Sequence, residues 1–574
     1  MAILQPLTDI AWICYEQGIR HVVISPGSRS AALTLAFVRH GGFQTHVCMD
    51  ERSAGFIGLG IAQQTDSPVV LICTSGSAAY NLAPAVSEAF FQQIPLLVLT
   101  ADRPKEWLHQ YDGQTIYQSG IYGQHVKRSF ELSPDYGHKD VAWAINRIAN
   151  EAVNLTTTTP CGPVHINVPI REPFYPAEGD DFRPSPGLRV IKRQSAERTW
   201  STEVWEDLLD EWESAPKILL AGGQRKPDPE LDAVLSRITE EWQVPILGDC
   251  ISNLNVGPDY IRHHDMFLGT EEVEALKPDL LVTFGMSFLS KEFKQFIRKN
   301  PPRWHWHIGE DAFLADPTQS LTRDISGKPA NFLNKLFEKL DYQSFVENSD
   351  SNIDESFYQK WFQVELKARR IKHQLLGNLP AFSDLSLLDS LFRYVKPDFQ
   401  LHIANSMSVR YANVLATESK FDGVFANRGT SGIDGCVSTA IGAARVNGIP
   451  TLLIVGDVAF LYDRNGLLIG GLPQNLKIVV LNNAGGNIFR MIDGPGNLPE
   501  LETYFETRHS FSALRTCEDS GIAYFRISSQ QGLEDEIQKF LDHEGIALLE
   551  GFSNPSENTR AWKSLKRAWT NEAG

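Results

Sequence analysis

The sequence predicts an α/β protein made of three doubly wound parallel-sheet domains. Two observations carry this reading. Short apolar runs recur along the chain, each followed by a glycine-rich or polar turn and then by a helical stretch. The runs are rich in Val, Ile and Leu and apolar on both faces, as strands buried between two layers of helices must be. Their alternation with helices implies βαβ units and therefore parallel sheets.

Taken in order, the runs at 21–25, 69–73, 96–100 and 164–168 predict a first sheet. Those at 218–221, 245–248, 280–284 and 304–308 predict a second, and those at 400–404, 451–455, 477–481 and 547–550 a third. The stretch 172–188 is rich in Pro, Gly and acid and reads as a linker. The polar, acidic stretch 346–355 reads as a second linker or exposed loop. Domains are then expected at 1–180, 190–345 and 356–574. Ligands of such sheets bind beyond the carboxyl ends of the strands, so those loops are where chemistry is to be sought.

Composition narrows the function. The chain has 574 residues, 42% hydrophobic and 21% charged, enough for several large cores. A formal net charge of −17 argues against non-specific binding to nucleic acid or to an anionic membrane, while leaving room for a local basic pocket. The seven cysteines form no C-x-x-C pair, which excludes a zinc knuckle or dithiol motif and suggests buried thiols in a reducing compartment. The N-terminus shows no basic and apolar leader, and no stretch approaches the roughly 20 apolar residues of a membrane span. A cytoplasmic location is expected.

Two segments carry chemistry. The apolar run 451–455 ends in Gly456-Asp457, and the run 477–481 ends in Asn482-Asn483, followed by Ala484-Gly485-Gly486. The segment between them has room for one crossover helix, so both strand ends reach the same edge of a sheet. An acid, a carboxamide and a glycine-bounded carbonyl then converge as oxygen donors. Magnesium takes about six such ligands near ~2.1 Å and commonly shares them with phosphates. Either dipeptide alone is ordinary turn chemistry. The pair, at this spacing and after two strongly apolar strands, favours an anchor for a metal and a diphosphate. Gly456 and Gly485 would admit close backbone approach.

The second segment runs from a strand at 45–50 into a helix that starts near Glu51, flanked by small residues. A carboxylate in a first helical turn suits the helix dipole and by itself means no more. Beside a diphosphate cofactor with an aminopyrimidine ring, a buried acid there would protonate the ring and favour the imino form of its amino group. Burial would raise the acid's pKa, as that role requires.

Further runs point the same way: Ile24 through Ser30 (ISPGSRS), Thr74 through Ala79 (TSGSAA), Leu99 through Pro104 (LTADRP), Asn405 through Arg410 (NSMSVR) and Asn427 through Gly435 (NRGTSGIDG). With them the chain resembles the thiamine-diphosphate-dependent 2-oxoacid decarboxylases and carboligases. Its likeness is greatest to the branch that joins 2-oxoglutarate to isochorismate in menaquinone biosynthesis. One departure is Val458, where the family signature carries a third glycine after Gly456-Asp457.

The resemblance implies three sheets of the thiamine-diphosphate-enzyme type, in pyrimidine-binding, central and diphosphate-binding domains. It implies a homodimer or homotetramer whose active sites lie between the first domain of one subunit and the third of another. The implied cofactors are thiamine diphosphate and Mg2+, with Mn2+ as the alternative metal. The implied activity is that of a transferase: 2-oxoglutarate loses carbon dioxide and the resulting carbanion adds to isochorismate. Glu51 is the implied catalytic acid. Ser77, Ile433, Gly456, Asp457 and Asn483 would join it in holding the cofactor, with Asp457, Asn483 and the Gly485 carbonyl on the metal. Ser28, Arg29, Arg103 and Gln114 would handle isochorismate. Ser406, Arg410 and Arg428 would hold the oxoglutarate-derived part, with Lys291 reaching in from the central domain.

Arginine suits acidic substrates because its planar fork binds a carboxylate at two points. His21, His46 and His402 lie in or beside strands and are read as structural, so no catalytic histidine is assigned. The competing reading is another thiamine-diphosphate decarboxylase or an acetolactate-synthase-like carboligase, against which four arginines in the matched motifs argue. A non-catalytic scaffold that keeps the cofactor fold would make Glu51 dispensable. A nicotinamide dehydrogenase is weak, because no strand leads into a full G-x-G-x-x-G.

Overall fold

The computed structural model describes residues 4–572 except 177–181, 195, 197–198, 259, 270, 311–312, 348–352, 416–420 and 493. It contains three sheets. The first comprises β1 (His21–Ile24), β2 (Gln44–Val47), β3 (Val69–Cys73), β4 (Leu96–Asp102), β5 (Ser129–Glu131) and β6 (Val164–Pro169), in the order β2-β1-β3-β4-β6-β5. The second comprises β7 (Ile218–Gly222), β8 (Ile246–Gly248), β9 (Leu280–Phe284), β10 (Trp304–Gly309) and β11 (Arg323–Ser326), in the order β11-β10-β9-β7-β8. The third comprises β12 (Gln400–Ile403), β13 (Gly423–Ala426), β14 (Thr451–Gly456), β15 (Leu476–Asn482), β16 (Ala523–Ile527) and β17 (Ala547–Phe552), in the order β13-β12-β14-β15-β17-β16.

Neighbouring strands pair in parallel in all three sheets. Counted from each sheet's own first strand, the first and third sheets have the same order, although no repeat is visible in their sequences. β3, β4 and β15 are buried along their whole length, which is why their sequences are apolar on both faces.

All twelve strands expected from apolar runs are present, and β2 answers to the strand expected before Glu51. It and the four strands not expected, β5, β11, β13 and β16, each lie at the edge of a sheet. Four of them are half-buried or exposed along much of their length. An edge strand pairs on one side only and is kept short and polar, so it shows no apolar run. β13 is short and buried, and its outer edge is closed by a side chain. Val424 N–H donates to Asn253 Oδ1 at 2.7 Å, and Asn253 Nδ2 donates to Val424 O at 3.0 Å.

Each sheet lies within one of the expected domains, and we propose the limits 1–180, 190–345 and 356–574 on that distribution. Of the first expected linker, residues 177–181 lie outside the described residues. The second is shorter than 346–355. Helix Pro329–Glu347 runs into it and helix Glu355–Leu376 begins inside its end, while 348–352 lie outside the described residues. Five of the seven cysteines are buried; Cys161 and Cys250 are half-buried.

The first and third domains meet along two topologically equivalent helices, Glu51–Thr65 and Cys436–Asn447. Their backbones touch. A Cβ on Gly60 would lie 2.1 Å from Thr439 O, and one on Gly442 would lie 2.1 Å from Ile57 O. Phe56, Ile57, Val437 and Ile441 share one apolar core with Val455 and Val480 of the third sheet. This seam sets where the amino end of the Glu51 helix stands relative to the third domain.

Candidate active site

The anchor forms where β14 and β15 end side by side, with Gly456 paired to Leu481. Asp457 is buried at the start of helix Asp457–Asp463. Its Oδ1 accepts Val458 N–H at 2.7 Å and its Oδ2 accepts Gly485 N–H at 3.0 Å. The two asparagines after β15 divide the work. Asn482 is structural: its Nδ2 donates to Glu550 Oε1 (2.7 Å) and Phe511 O (3.0 Å), and its Oδ1 accepts Ala484 N–H (3.1 Å). Asn483 Nδ2 donates to Asp384 Oδ2 at 3.0 Å, which leaves its Oδ1 buried without a hydrogen-bond partner. A buried carbonyl oxygen of this kind is costly unless something occupies it.

Asp384 itself is fully buried, and burial pushes its carboxyl up to about 6. It accepts from Ser553 Oγ at 2.5 Å as well as from Asn483, so the amide is held in one orientation. Gly485 lies at φ +151°, where a Cβ would meet Glu506 O at 2.5 Å. Beside Gly456 the space is open, with Ser408 Oγ the nearest neighbour at 4.0 Å from a built Cβ. Among the described residues no group of three His, Cys, Asp or Glu is placed to hold a metal. A cation here would therefore draw on one carboxylate, one amide oxygen, a backbone carbonyl and the oxygens of its own ligand. That donor set suits magnesium shared with a diphosphate, and the orphaned Asn483 oxygen fits it.

Glu51 opens its helix immediately after Asp50, whose side chain caps the helix by accepting Arg52 N–H and Ser53 N–H. The acid is half-buried in the single chain. Three contacts tie this corner to the third domain. Asn465 Nδ2 donates to Asp50 Oδ2 at 2.9 Å, Arg52 Nη2 donates to Tyr462 O at 2.7 Å, and Arg52 approaches the buried Asp463 at 3.9 Å. Ile433 is partly buried against the core shared by the two domains.

The expected isochorismate residues gather at the carboxyl ends of β1, β3 and β4. A Cβ on Gly27 would lie 2.2 Å from Thr74 Cβ, so the loops after β1 and β3 abut. Arg29 is buried, donates to Ile170 O at 3.0 Å and stacks 4.8 Å over the Phe174 ring. Burial and the nearby Arg103 depress its pKa. Arg103 donates to Gly113 O at 3.1 Å and pairs with Asp112 at 2.5 Å, and Gln114 backs on to Gly76. Ser28, Ser77 and Gln114 are exposed at this sheet end.

A second cationic group lies beyond β12 and β13. Ser406 takes φ +70°, and Arg410 donates to its carbonyl at 2.5 Å. Arg428 donates to Asn405 Oδ1 at 3.0 Å, while its Nε is buried without a partner. Burial lowers the pKa of both arginines, and Arg428 lowers that of Arg410 further. Lys291 is exposed at the start of helix Lys291–Lys299. Lys294, one turn on, feels the field of Arg428 and is lowered chiefly by its own burial.

The sequence reading missed several residues that shape the site. Asp384 gave no signal beyond its place after the helix cap Ser383. Glu88, from the first domain, holds the Arg428 loop by accepting Gly429 N–H (2.8 Å) and Thr430 N–H (2.6 Å). His509 Nε2 lies 3.3 Å from Asp457 Oδ2, a histidine in the site where none had been assigned.

Comparison with known proteins agrees with this geometry. Residues 8–121 match the thiamine pyrophosphate enzyme N-terminal TPP binding domain, and residues 408–551 match the corresponding C-terminal TPP binding domain. The chain is 42% identical to the 2-succinyl-5-enolpyruvyl-6-hydroxy-3-cyclohexene-1-carboxylate synthase of Cytophaga hutchinsonii, over 98% of this chain and 99% of that one. This chain belongs to that synthase family. Synthases of the same name from Porphyromonas gingivalis (35% identical; 96% and 94% of the two chains) and Desulfotalea psychrophila (34%; 96% and 99%) are similar over the same extent. The two matched thiamine-pyrophosphate regions fall on the first and third sheets, the pair that shares one topology. The synthase family is assigned over nearly the whole chain, the central sheet included.

Proposed function

We propose that this member of the synthase family decarboxylates 2-oxoglutarate and adds the resulting four-carbon unit to isochorismate, a step of menaquinone biosynthesis. The observation that carries the reading is the Asp457–Asn483 anchor together with two separate cationic groups, one at the strand ends of the first sheet and one at those of the third. A single small neutral substrate would need only the anchor. Two acidic substrates need both groups.

In this reading Asp457, Asn483 Oδ1 and the Gly485 carbonyl hold Mg2+, or Mn2+ in its place, and through it the diphosphate of thiamine diphosphate. The Gly485 carbonyl already accepts Asn487 N–H at 2.9 Å and keeps a second lone pair for the metal. Asp384 fixes which end of the Asn483 amide faces the ion. Gly456 leaves its flank open to the cofactor, Ser77 offers a hydroxyl at the first domain's sheet end, and Ile433 supplies an apolar surface for the rings. When bound, thiamine diphosphate supplies an electron sink for the carbanion left by departing carbon dioxide.

Glu51 holds a proton against a ring nitrogen of the pyrimidine, the role for which a carboxyl shielded from water is suited. Arg410, Arg428 and Ser406, with Lys291 or Lys294, bind the carboxylates of 2-oxoglutarate. Arg29, Arg103, Ser28 and Gln114 bind those of isochorismate. Preorganised cations do this work without rearranging when charge develops. The half-buried Glu51 would be enclosed by a second copy of the chain, so a homodimer or homotetramer with sites between subunits completes the reading. Among the described residues no helix is long and apolar enough to cross a membrane, and the cytoplasm is the proposed location.

The test is an assay with both substrates, thiamine diphosphate and Mg2+. Carbon dioxide released from 2-oxoglutarate is expected in equal amount to the isochorismate consumed. Faster turnover of pyruvate than of 2-oxoglutarate would overturn the substrate assignment.

A further inference from the structure

Behind the second cationic group lies a buried polar cluster that the reading above does not use. Asp249 follows β8, and its Oδ2 accepts Leu289 N–H at 2.6 Å and Ser290 N–H at 3.3 Å. Asp265 Oδ1 accepts the Ser290 hydroxyl, and Ser290 Oγ in turn caps helix Lys291–Lys299 by accepting Phe293 N–H at 3.0 Å. The lysine-bearing helix therefore starts on two carboxylates of the central domain.

One residue of the third domain joins this pair. Asn413 is buried on helix Met407–Leu415, one turn beyond Arg410. Its Oδ1 accepts Cys250 N–H at 2.8 Å, and its Nδ2 lies 3.4 Å from Asp249 Oδ1 and 3.4 Å from Asp265 Oδ2. Arg410 and Asn413 are three residues apart and so share a face of that helix. A chain of contacts thus runs from the Arg410 helix through Asn413 to the cap of the lysine helix.

We propose that Asn413 is a positioning residue that fixes the oxoacid-binding arginines against the lysine helix, so that the central domain sets recognition of the oxoacid's second carboxylate. The proposal rests on the reading of Arg410 and Arg428 as ligands of 2-oxoglutarate. Two further observations support it over simple domain adhesion. Burying two carboxylates is expensive, and an apolar seam would join the domains at lower cost. The carboxylates are also placed where their charge matters. Burial and Arg428 act against the charge on Arg410 while Asp265 favours it, and burial acts against that on Arg428 while Asp249 favours it. The acids thus act against the repulsion within the cationic group, and they share their charge with the buried His264, whose Nε2 lies 3.4 Å from Asp249 Oδ1.

The test compares Asn413→Ala and Asp265→Asn with the wild-type holoenzyme. Readouts are KM and kcat for 2-oxoglutarate, KM for isochorismate, thiamine diphosphate affinity, and the kcat/KM ratio of 2-oxoglutarate over pyruvate, which lacks the second carboxylate. Loss of one buried hydrogen-bonded tether is expected to raise KM for 2-oxoglutarate about tenfold and to lower the ratio about as much. Cofactor affinity and KM for isochorismate should stay within about twofold, inside the spread of changes that leave a contact intact. An unchanged KM for 2-oxoglutarate, or a parallel loss in every constant, overturns the proposal. Should Asn413→Ala fail to fold, Asp265→Asn, which keeps the shape of the side chain, decides by the same readouts. A wild-type enzyme that does not use 2-oxoglutarate would instead bring down the underlying substrate reading, and this proposal with it.

Discussion

Replacing Gly485 by Ala tests the metal anchor with a perturbation whose size can be worked from the structure. The new Cβ would lie 2.5 Å from Glu506 O, whereas ordinary contact begins near 3.4 Å, so the turn must retreat by about 0.9 Å. The carbonyl it retreats from is pinned, because Glu506 O accepts Gly486 N–H at 2.7 Å and the Glu506 side chain pairs with Arg490 at 2.6 Å. Gly485 also sits at φ +151°, and a side chain held in such a region costs about 1–3 kcal/mol. Metal ligation tolerates displacements of only about 0.2 Å. The Gly485 carbonyl therefore leaves the ion, and Mg2+ affinity is expected to fall by about 10–100-fold, the range seen when the support of a metal ligand is lost. The assay is calorimetric titration of Mg2+ in the presence of thiamine diphosphate, with activity followed over the same range. Gly486→Ala is the control, since its Cβ would meet a Phe489 side chain at 3.3 Å and no strained φ is involved. Gly485→Ala binding Mg2+ as tightly as the control would refute the placement of the metal.

Two other outcomes follow from the seam between the domains. Asp463 is buried, and burial pushes its carboxyl up to about 7 from an ordinary value of 3.8. Between those values the folded chain keeps a proton that the unfolded chain has released, so the group's contribution to stability is lost as pH rises from about 4 to about 7. Asp463→Asn removes that dependence, and the gap between urea midpoints at pH 5 and pH 8 should narrow; an unchanged gap would show that Asp463 does not titrate there. Gly442→Ala places a Cβ 2.1 Å from Ile57 O, and overpacking of this kind should lower the unfolding free energy by about 1–3 kcal/mol. A denaturation curve identical to that of the wild type would mean that the two helices are not in backbone contact.

The central strands were legible because burial on both faces leaves little choice of residue: 69–73 and 478–481 are apolar throughout. The edge strands β5, β11, β13 and β16 were not, because a strand paired on one side only need carry no such pattern. β13 is hidden further by a neighbour's amide, that of Asn253, which completes its hydrogen bonding. The proposed site is legible where one short segment would carry its chemistry, as at Gly456-Asp457, Asn483 and the arginine loops. It is not legible where the fold brings a group from far along the chain. Asp384, Glu88 and His509 reach Asn483, the Arg428 loop and Asp457 from far along the chain; Asn413 lies one turn from Arg410, but its partners Asp249 and Asp265 do not. The common topology of the first and third sheets is invisible for a related reason, since strand order constrains burial and not residue identity. In the central domain the sequence pointed to Lys291, while the structure adds Lys294 in the field of Arg428.

The central claim is that Glu51 and the Asp457–Asn483 anchor serve one thiamine-diphosphate site. Its most direct test is hydrogen–deuterium exchange at the thiazolium carbon of the bound cofactor in Glu51→Gln. The variant is expected to fold and to bind Mg2+ and thiamine diphosphate as the wild type does. Exchange should slow by at least about 100-fold, the lower end of what a positioned proton donor contributes. Wild-type exchange in a variant that still binds the cofactor would contradict the account.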